Sequence, residues 1–282
     1  ERLAWYDLFA PTGSAGRSWT WDEAIAFLDD RFGAYSDRMR DLLRRSVVEH
    51  WIDAGPRPGK SGGAFCMWLR NGESRVLHNW SDSYDAVSTL AHELGHAIHS
   101  MMADHHSIFT QHSTLPLAET ASVFAEQLLT ERLLEAESDP LVKREILSSA
   151  VNDMYATVMR QAYFVIFERD AHAAIRDNKS PDDLYALYME NLREQFGDSV
   201  EIGEEFRYEW ISIPHIYNTP FYCYAYSFGN LLVLALYRMY QEQGKTFVPK
   251  YLDLLAAGGS KAPQDILKEV GVDMSSTAFW QS

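Results

Sequence analysis

Ten residues, Leu90-Ala91-His92-Glu93-Leu94-Gly95-His96-Ala97-Ile98-His99, constrain this chain more than any other stretch. Residues four apart lie one above the other on a helix, so a helical segment lets His92 and His96 each offer a ring nitrogen to a single ion. Glu93 stands about 100° round from His92. That places its carboxylate beside such an ion and not on it, where it can take a proton from water. With 10 histidines in 282 residues, H-E-x-x-H arises by chance in roughly three of a hundred such sequences. The motif therefore needs support from a third ligand, since catalytic zinc sites use three protein ligands and keep one position open.

Glu119 is the candidate, 119 − 96 = 23 residues after His96 and set among Leu117, Ala118, Ala121, Val123 and Phe124. An acid in such surroundings is costly to bury unless something neutralises it, and a divalent cation would do so. Ser122 and Glu126 follow three and seven residues on, on the same helical face, where they can orient a ligand. His99 shares the face of His92 and His96 but lies two turns from the first. It reads as a structural or supporting histidine, not a ligand. One Zn2+ per chain is the implied cofactor.

Most of the remaining chain reads as helix. Thr20 and Glu23 have capping-box spacing ahead of Trp21, Ala24, Ile25 and Leu28, and Gly33 is expected to end that helix. A second helix is predicted from Ser36 to about Trp51. Gly55 to Gly63 is loop, followed by β-like runs over Ala64–Leu69 and Ser74–Asn79 around an Asn71-Gly72 turn, a hairpin signal. Helical spacing then covers 83–103, 115–137, 140–176, 181–196, 219–243, 246–257 and 263–270. Ser180-Pro181-Asp182-Asp183 is a helix start, and Gly258-Gly259 a stop. The expected fold is mainly α, with a small β hairpin or sheet before the H-E-x-x-H helix, in a single domain over 1–282.

Composition removes several classes. The net charge of 25 − 40 = −15 argues against a nucleic-acid surface, which needs clustered Lys and Arg. The longest strongly apolar run, Leu231–Tyr237, falls far short of the roughly 20 residues of a membrane-spanning helix. Cys66 and Cys223 are too few for a disulfide framework, so a reducing, cytoplasmic location is expected.

Further stretches carry a resemblance over nearly the whole chain: Trp5-Tyr6-Asp7-Leu8-Phe9-Ala10-Pro11, Gly59-Lys60-Ser61-Gly62-Gly63-Ala64-Phe65, Asn79, the 90–99 helix, Glu119-Thr120-Ala121-Ser122 with Glu126, and His215 to Tyr226. In this order they resemble the oligoendopeptidase F branch of the thimet-oligopeptidase family of zinc metallopeptidases. The resemblance implies a zincin-type helical fold whose two motif helices floor a deep channel that cleaves internal bonds of short peptides. It implies that His92, His96 and Glu119 hold zinc and that Glu93 is the base. His215 and one or two of Tyr217, Tyr224 and Tyr226 would face the substrate carbonyl, Tyr224 first and Tyr226 next. Members of the family are about twice this length. The chain would then be the catalytic C-terminal half, with the missing N-terminal segment as a partner; Glu1 in place of Met favours a fragment.

The residues themselves leave alternatives open. Phenol and imidazole donors aimed at a developing oxyanion lower a hydrolytic barrier, yet Tyr217, Tyr222, Tyr224 and Tyr226 also read as a packing stripe. Pro214 and Pro220 place His215 in or near a loop. Gly62, Gly63 and Ala64 lack phosphate-loop spacing and read as an edge for a peptide backbone or as a plain turn. Rival functions are a zinc exopeptidase of carboxypeptidase or dipeptidase type, and a non-catalytic zinc-containing peptide-binding module. Intact Glu93 argues against the module, because a structural site needs no base.

Overall fold

The computed structural model describes residues 3–4, 18–69 and 72–281. The Trp5–Pro11 stretch and Asn71 lie outside the described residues. After the short strand β1 (Leu3–Ala4), helix α1 (Trp21–Tyr35) starts on the Thr20–Glu23 capping box and buries Ala24, Leu28, Phe32 and Tyr35. It runs through Gly33, against expectation. A Cβ there would meet the Arg40 side chain at 2.8 Å, so the glycine makes room for a neighbour rather than ending the helix. The break comes at Ser36, whose extended backbone and hydroxyl cap α2 (Asp37–Val48). That helix ends short of Trp51, and His50 turns left-handed at φ 56°.

Strands β2 (Ile52–Asp53), β3 (Phe65–Trp68) and β4 (Ser74–Leu77) follow. β3 and β4 form the expected antiparallel hairpin, with Cys66 opposite Val76. β2, too short to show alternation in the sequence, adds parallel to β4 and makes the order β2-β4-β3. The loop ahead of β3 is held by a lysine whose side chain is 1% exposed. Lys60 Nζ donates to the carbonyls of Asp53 (2.8 Å), Gly55 (3.1 Å) and His78, and to Asp53 Oδ1 (3.2 Å). Asn79 Nδ2 donates to the carbonyls of Ser61 and Gly63, each at 2.9 Å, which fixes the glycine loop on the sheet.

Helix α3 (Tyr84–Met102) carries the histidine motif and is capped by Ser83. The helix expected over 115–137 is broken into α4 (Leu115–Ala118) and α5 (Thr120–Ala136), with Glu119 at the joint (φ −89°, ψ 1°). Over 140–176 run α6 (Pro140–Met154), one π turn (Tyr155–Met159) and α7 (Arg160–Arg176). α8 (Pro181–Phe196) begins on the Ser180–Asp183 capping box with Pro181 in its first turn. β5 (Val200–Glu201) pairs with β1. A 3-10 segment over Glu204–Ser212 leads to α9 (Pro214–Asn218), so His215 lies in a short helix beside the irregular 219–223 stretch, Pro214 supplying the φ that suits a first helical position. α10 (Tyr224–Gln243) starts later than expected because Phe221 is left-handed at φ 60°. The chain ends with α11 (Val248–Ala256), α12 (Pro263–Glu269) and α13 (Thr277–Trp280). Gly258-Gly259 follows α11 as expected, and a Cβ on Gly259 would fall 2.1 Å from the His112 carbonyl oxygen.

The chain divides into two compact units. In the unit formed by 15–146 and 229–282, α3 packs on α5 and the sheet. Tyr35, Phe124 and Tyr251 form its aromatic centre, with Phe124 stacked on Tyr251 at 4.2 Å. In the unit formed by 1–14 and 147–228, Phe167, Tyr188, Leu192, Phe196 and Val200 form a core joined by Trp210 and Ile216. Among the described residues no helix is long and apolar enough to cross a membrane.

The Asp53 carboxyl is held at about 2, below its ordinary 3.8, by hydrogen bonds from Arg57 and then Lys60. A depressed acid stabilises the fold above its unfolded pKa and loses that contribution as pH falls through its folded value. In urea unfolding, Asp53→Asn should therefore be less stable than the parent at neutral pH, and the gap should close as the pH drops from 3.8 towards about 2. A gap that does not depend on pH would contradict this.

Candidate metal centre

A glycine inside a helix costs about 1 kcal/mol relative to alanine, and in α3 Gly95 occupies such a position. A Cβ on it would lie 2.5 Å from the Ala121 carbonyl oxygen and 2.6 Å from Ser122 Cα. The backbones of α3 and α5 therefore touch at this point. The contact, with Glu119 at the start of α5, brings one carboxylate to two histidines on the neighbouring helix. His92 Nε2 and His96 Nε2 are 3.2 Å apart, and each is 3.3 Å from Glu119 Oε2. Among the described residues no other group of three His, Cys, Asp or Glu side chains converges in this way. Three of four tetrahedral ligands about 2.0–2.1 Å from one zinc ion stand roughly 3.3 Å from one another. Both the triangle and its two-nitrogen, one-oxygen donor set fit Zn2+.

The neighbours of these side chains fix their orientation. His92 Nδ1–H donates to Glu126 Oε1 at 2.5 Å, which directs Nε2 towards the other two ligand atoms. Ser122 Oγ lies 2.8 Å from Glu119 Oε2 and 3.0 Å from the Glu119 carbonyl. A Cβ on Gly229 of α10 would stand 3.3 Å from Glu119 Cβ, so a second glycine leaves room for the ligand. His99 is buried on α3 outside the triangle, and burial, then the charge of His96, pull its pKa down to about 4.

Burial disfavours charge on His92, but Glu119 and Glu126 outweigh it and hold its pKa up at about 10. Burial likewise pushes the Glu119 carboxyl up, yet bonding to His92 and His96 outweighs that and keeps it well below the carboxylate range. The pocket thus favours positive charge where the three atoms meet, a demand that a divalent cation also meets. Glu93 is 5% exposed. Burial raises its pKa against the opposing pull of His92 and His96. Its Oε2 is buried with no hydrogen-bond partner among the described residues. Cys66 of β3 feels the same carboxylate: burial and then Glu93 push its thiol up to about 12.

The aromatic segment lies in the other unit. His215 Nε2 is 3.0 Å from the Tyr226 hydroxyl. Tyr222 stacks on His215 at 5.7 Å and meets Tyr226 edge-on at 4.9 Å. Tyr224, the first choice from the sequence, is instead 45% exposed. Tyr217 stacks on Trp210 at 6.3 Å. Gly62 and Gly63 are exposed and Ala64 half-buried at the entry to β3, an edge strand of its sheet. Gly95, Tyr222, Lys60 and Asn79 were named within their motifs by sequence reasoning, but no packing role was assigned to Gly95 and no clamp to Lys60 and Asn79. A glycine inside an otherwise helical pattern was the available signal for Gly95.

This mainly helical fold, with a two-histidine, one-glutamate cluster on adjacent helices, is that of a metallopeptidase family. Residues 34–282 match Peptidase family M3, and the chain belongs to it. It is 32% identical to oligopeptidase PepF of Bacillus subtilis over 275 residues, covering 96% of this chain and 41% of that protein. It is 33% identical to an oligoendopeptidase F homolog of Borreliella burgdorferi over 284 residues, covering 99% and 48%. A crystal structure from Chlamydophila abortus superimposes with a TM-score of 0.83 at 27% identity, covering all of this chain and 48% of that one. The chain thus spans about half the length of the curated relatives it matches.

The Gly95 contact gives a direct test. Gly95→Ala places a methyl against backbone that has no flexible end to yield, and overpacking of this kind costs about 1–3 kcal/mol. Lower stability in urea together with a lower capacity to bind a divalent metal, read by elemental analysis after loading, is expected. An alanine variant with parental stability and full metal content would show that the two helices do not need this approach.

Proposed function

We propose that the chain is the catalytic part of a zinc-dependent oligoendopeptidase that hydrolyses internal bonds of short peptides. One observation carries the reading: three ligand atoms meet at zinc spacing, and a buried carboxylate with an unpartnered oxygen is next in sequence to one of the ligands. His92, His96 and Glu119 would hold one Zn2+ per chain, and Glu126 and Ser122 keep two of them aligned. Bound there, Zn2+ supplies Lewis acidity towards water and the scissile carbonyl. Glu93 acts as general base, taking the proton of the attacking water and returning it to the leaving amine. Its burial raises the carboxyl pKa and so makes it a better proton acceptor.

His215 and Tyr226 are assigned as hydrogen-bond donors to the oxyanion, because they are the pair that meets. The loop of exposed Gly62 and Gly63 leading into Ala64, with the β3 edge, suits an extended substrate backbone, which adds to an edge strand through main-chain hydrogen bonds. The names of the relatives, oligopeptidase and oligoendopeptidase F, support peptides as substrates. In this proposal both units belong to one catalytic domain, and a segment like the other half of the longer relatives is its partner. Two free cysteines suit a reducing, cytoplasmic setting.

A quenched peptide blocked at both ends tests the assignment, since an exopeptidase leaves it intact. Cleavage should stop with a chelator and return with Zn2+. Glu93→Gln should lower turnover by about 10²–10⁴-fold, the range of a lost general base, and still bind zinc. His96→Ala should lose the metal as well as the activity. A Glu93→Gln protein with parental turnover would overturn the mechanism.

A further inference from the structure

Along one face of α7, residues four apart meet the 209–223 segment at successive points. Arg160 bonds Glu209 at 2.6 Å and lies over the Phe164 ring at 5.0 Å. The other Glu209 oxygen accepts the Tyr188 hydroxyl at 2.7 Å. Phe164 packs with Ile213 and Cys223. Glu168, 1% exposed, accepts the Phe221 backbone N–H at 2.8 Å. The His172 ring lies against that of Phe221, 4.9 Å between centroids.

Phe221 is where this face matters most. A bulky residue at φ 60° is strained, and such a conformation persists only where its surroundings over-determine it. Burying a carboxylate is also costly unless hydrogen bonds compensate. The two costs are met together, because the buried Glu168 oxygen takes the N–H of the strained residue. On the other side of the tyrosines, Ser227 Oγ donates to the carbonyl of Val158 in the π turn at 2.9 Å. The stretch holding Tyr222, Tyr224 and Tyr226 is thus anchored at both ends, by Phe221 and by Ser227, to the α6–π–α7 run.

We propose that Glu168 is a positioning residue: by holding the Phe221 N–H it fixes the left-handed turn that sets Tyr226 against His215. This inference rests on the donor role proposed for that pair. It acts through placement, and displacement of a catalytic group by about 1 Å can cost on the order of 10²-fold in rate.

The test is steady-state hydrolysis of the blocked peptide by the full-length, zinc-loaded protein, with zinc content and circular dichroism measured for every variant. Glu168→Ala should lower kcat by about 10- to 100-fold, with KM within about twofold, since the lost interaction acts in the transition state. Zinc content should not change. Glu168→Gln, whose amide oxygen can still accept the N–H, should recover most of the activity. If Glu168→Ala does not fold, Glu168→Asp, which withdraws the oxygen by one methylene, should show the same selective fall in kcat. Parental kcat in a folded Ala or Asp variant, or a loss in Gln as large as in Ala, would overturn the proposal. Tyr226→Phe and His215→Ala separate the two levels. If both keep parental kcat, the donor role fails and the positioning role with it; if they are impaired while Glu168→Ala is not, only the positioning role fails.

Discussion

The candidate metal centre depends on a contact between two backbones. Packed helices usually lie about 8–10 Å apart, with side chains between them. At Gly95 the α3 backbone meets the α5 backbone with no room for even a methyl group. That approach lets Glu119, at the head of α5, reach histidines projecting from α3. The rest follows from helical geometry on α5: Ser122 lies one turn on and holds Glu119, and Glu126 lies one turn further and holds His92. A site drawn from two rigid helices is stiffer than one drawn from loops.

Buried charge is handled in the same way at several places, by giving each charged group a dedicated partner. Glu119 and Glu126 face His92 and His96. The Lys60 ammonium gathers the carbonyls of Asp53, Gly55 and His78 and so shapes the glycine loop. In the other unit Glu168 takes a backbone N–H from a strained residue. Glu93 differs from these acids in having one carboxylate oxygen unpartnered among the described residues. Buried polar atoms are nearly always satisfied in folded proteins, and an oxygen left open is compatible with the general-base role proposed for Glu93.

Local chemistry was legible where one or two residues decide it. The Thr20 and Ser180 capping boxes, the β3–β4 hairpin and the helix carrying the histidine motif all stand where the sequence places them. Legibility failed where a distant neighbour decided. Gly33 reads as a helix stop, but α1 runs through it, with the Arg40 side chain lying against it. β2 is two residues long and exists because β4 offers an edge to pair with. The break at Glu119 and the left-handed Phe221 carry no sequence signal of their own.

The sequence alone determined that His92 and His96 share a helix face with Glu93 beside them, because that spacing is a property of any α-helix. It also pointed to Glu119, since an acid among apolar residues needs a counter-charge. Which tyrosine stands by His215 was decided only in three dimensions. Tyr222, Tyr224 and Tyr226 are equivalent candidates by spacing, but the Phe221 turn and the α10 start put Tyr226 at hydrogen-bond distance and leave Tyr224 exposed. Gly95 makes the same point. Its place in the motif is visible in the sequence, whereas its function, letting two backbones meet, exists only once α5 has packed against α3.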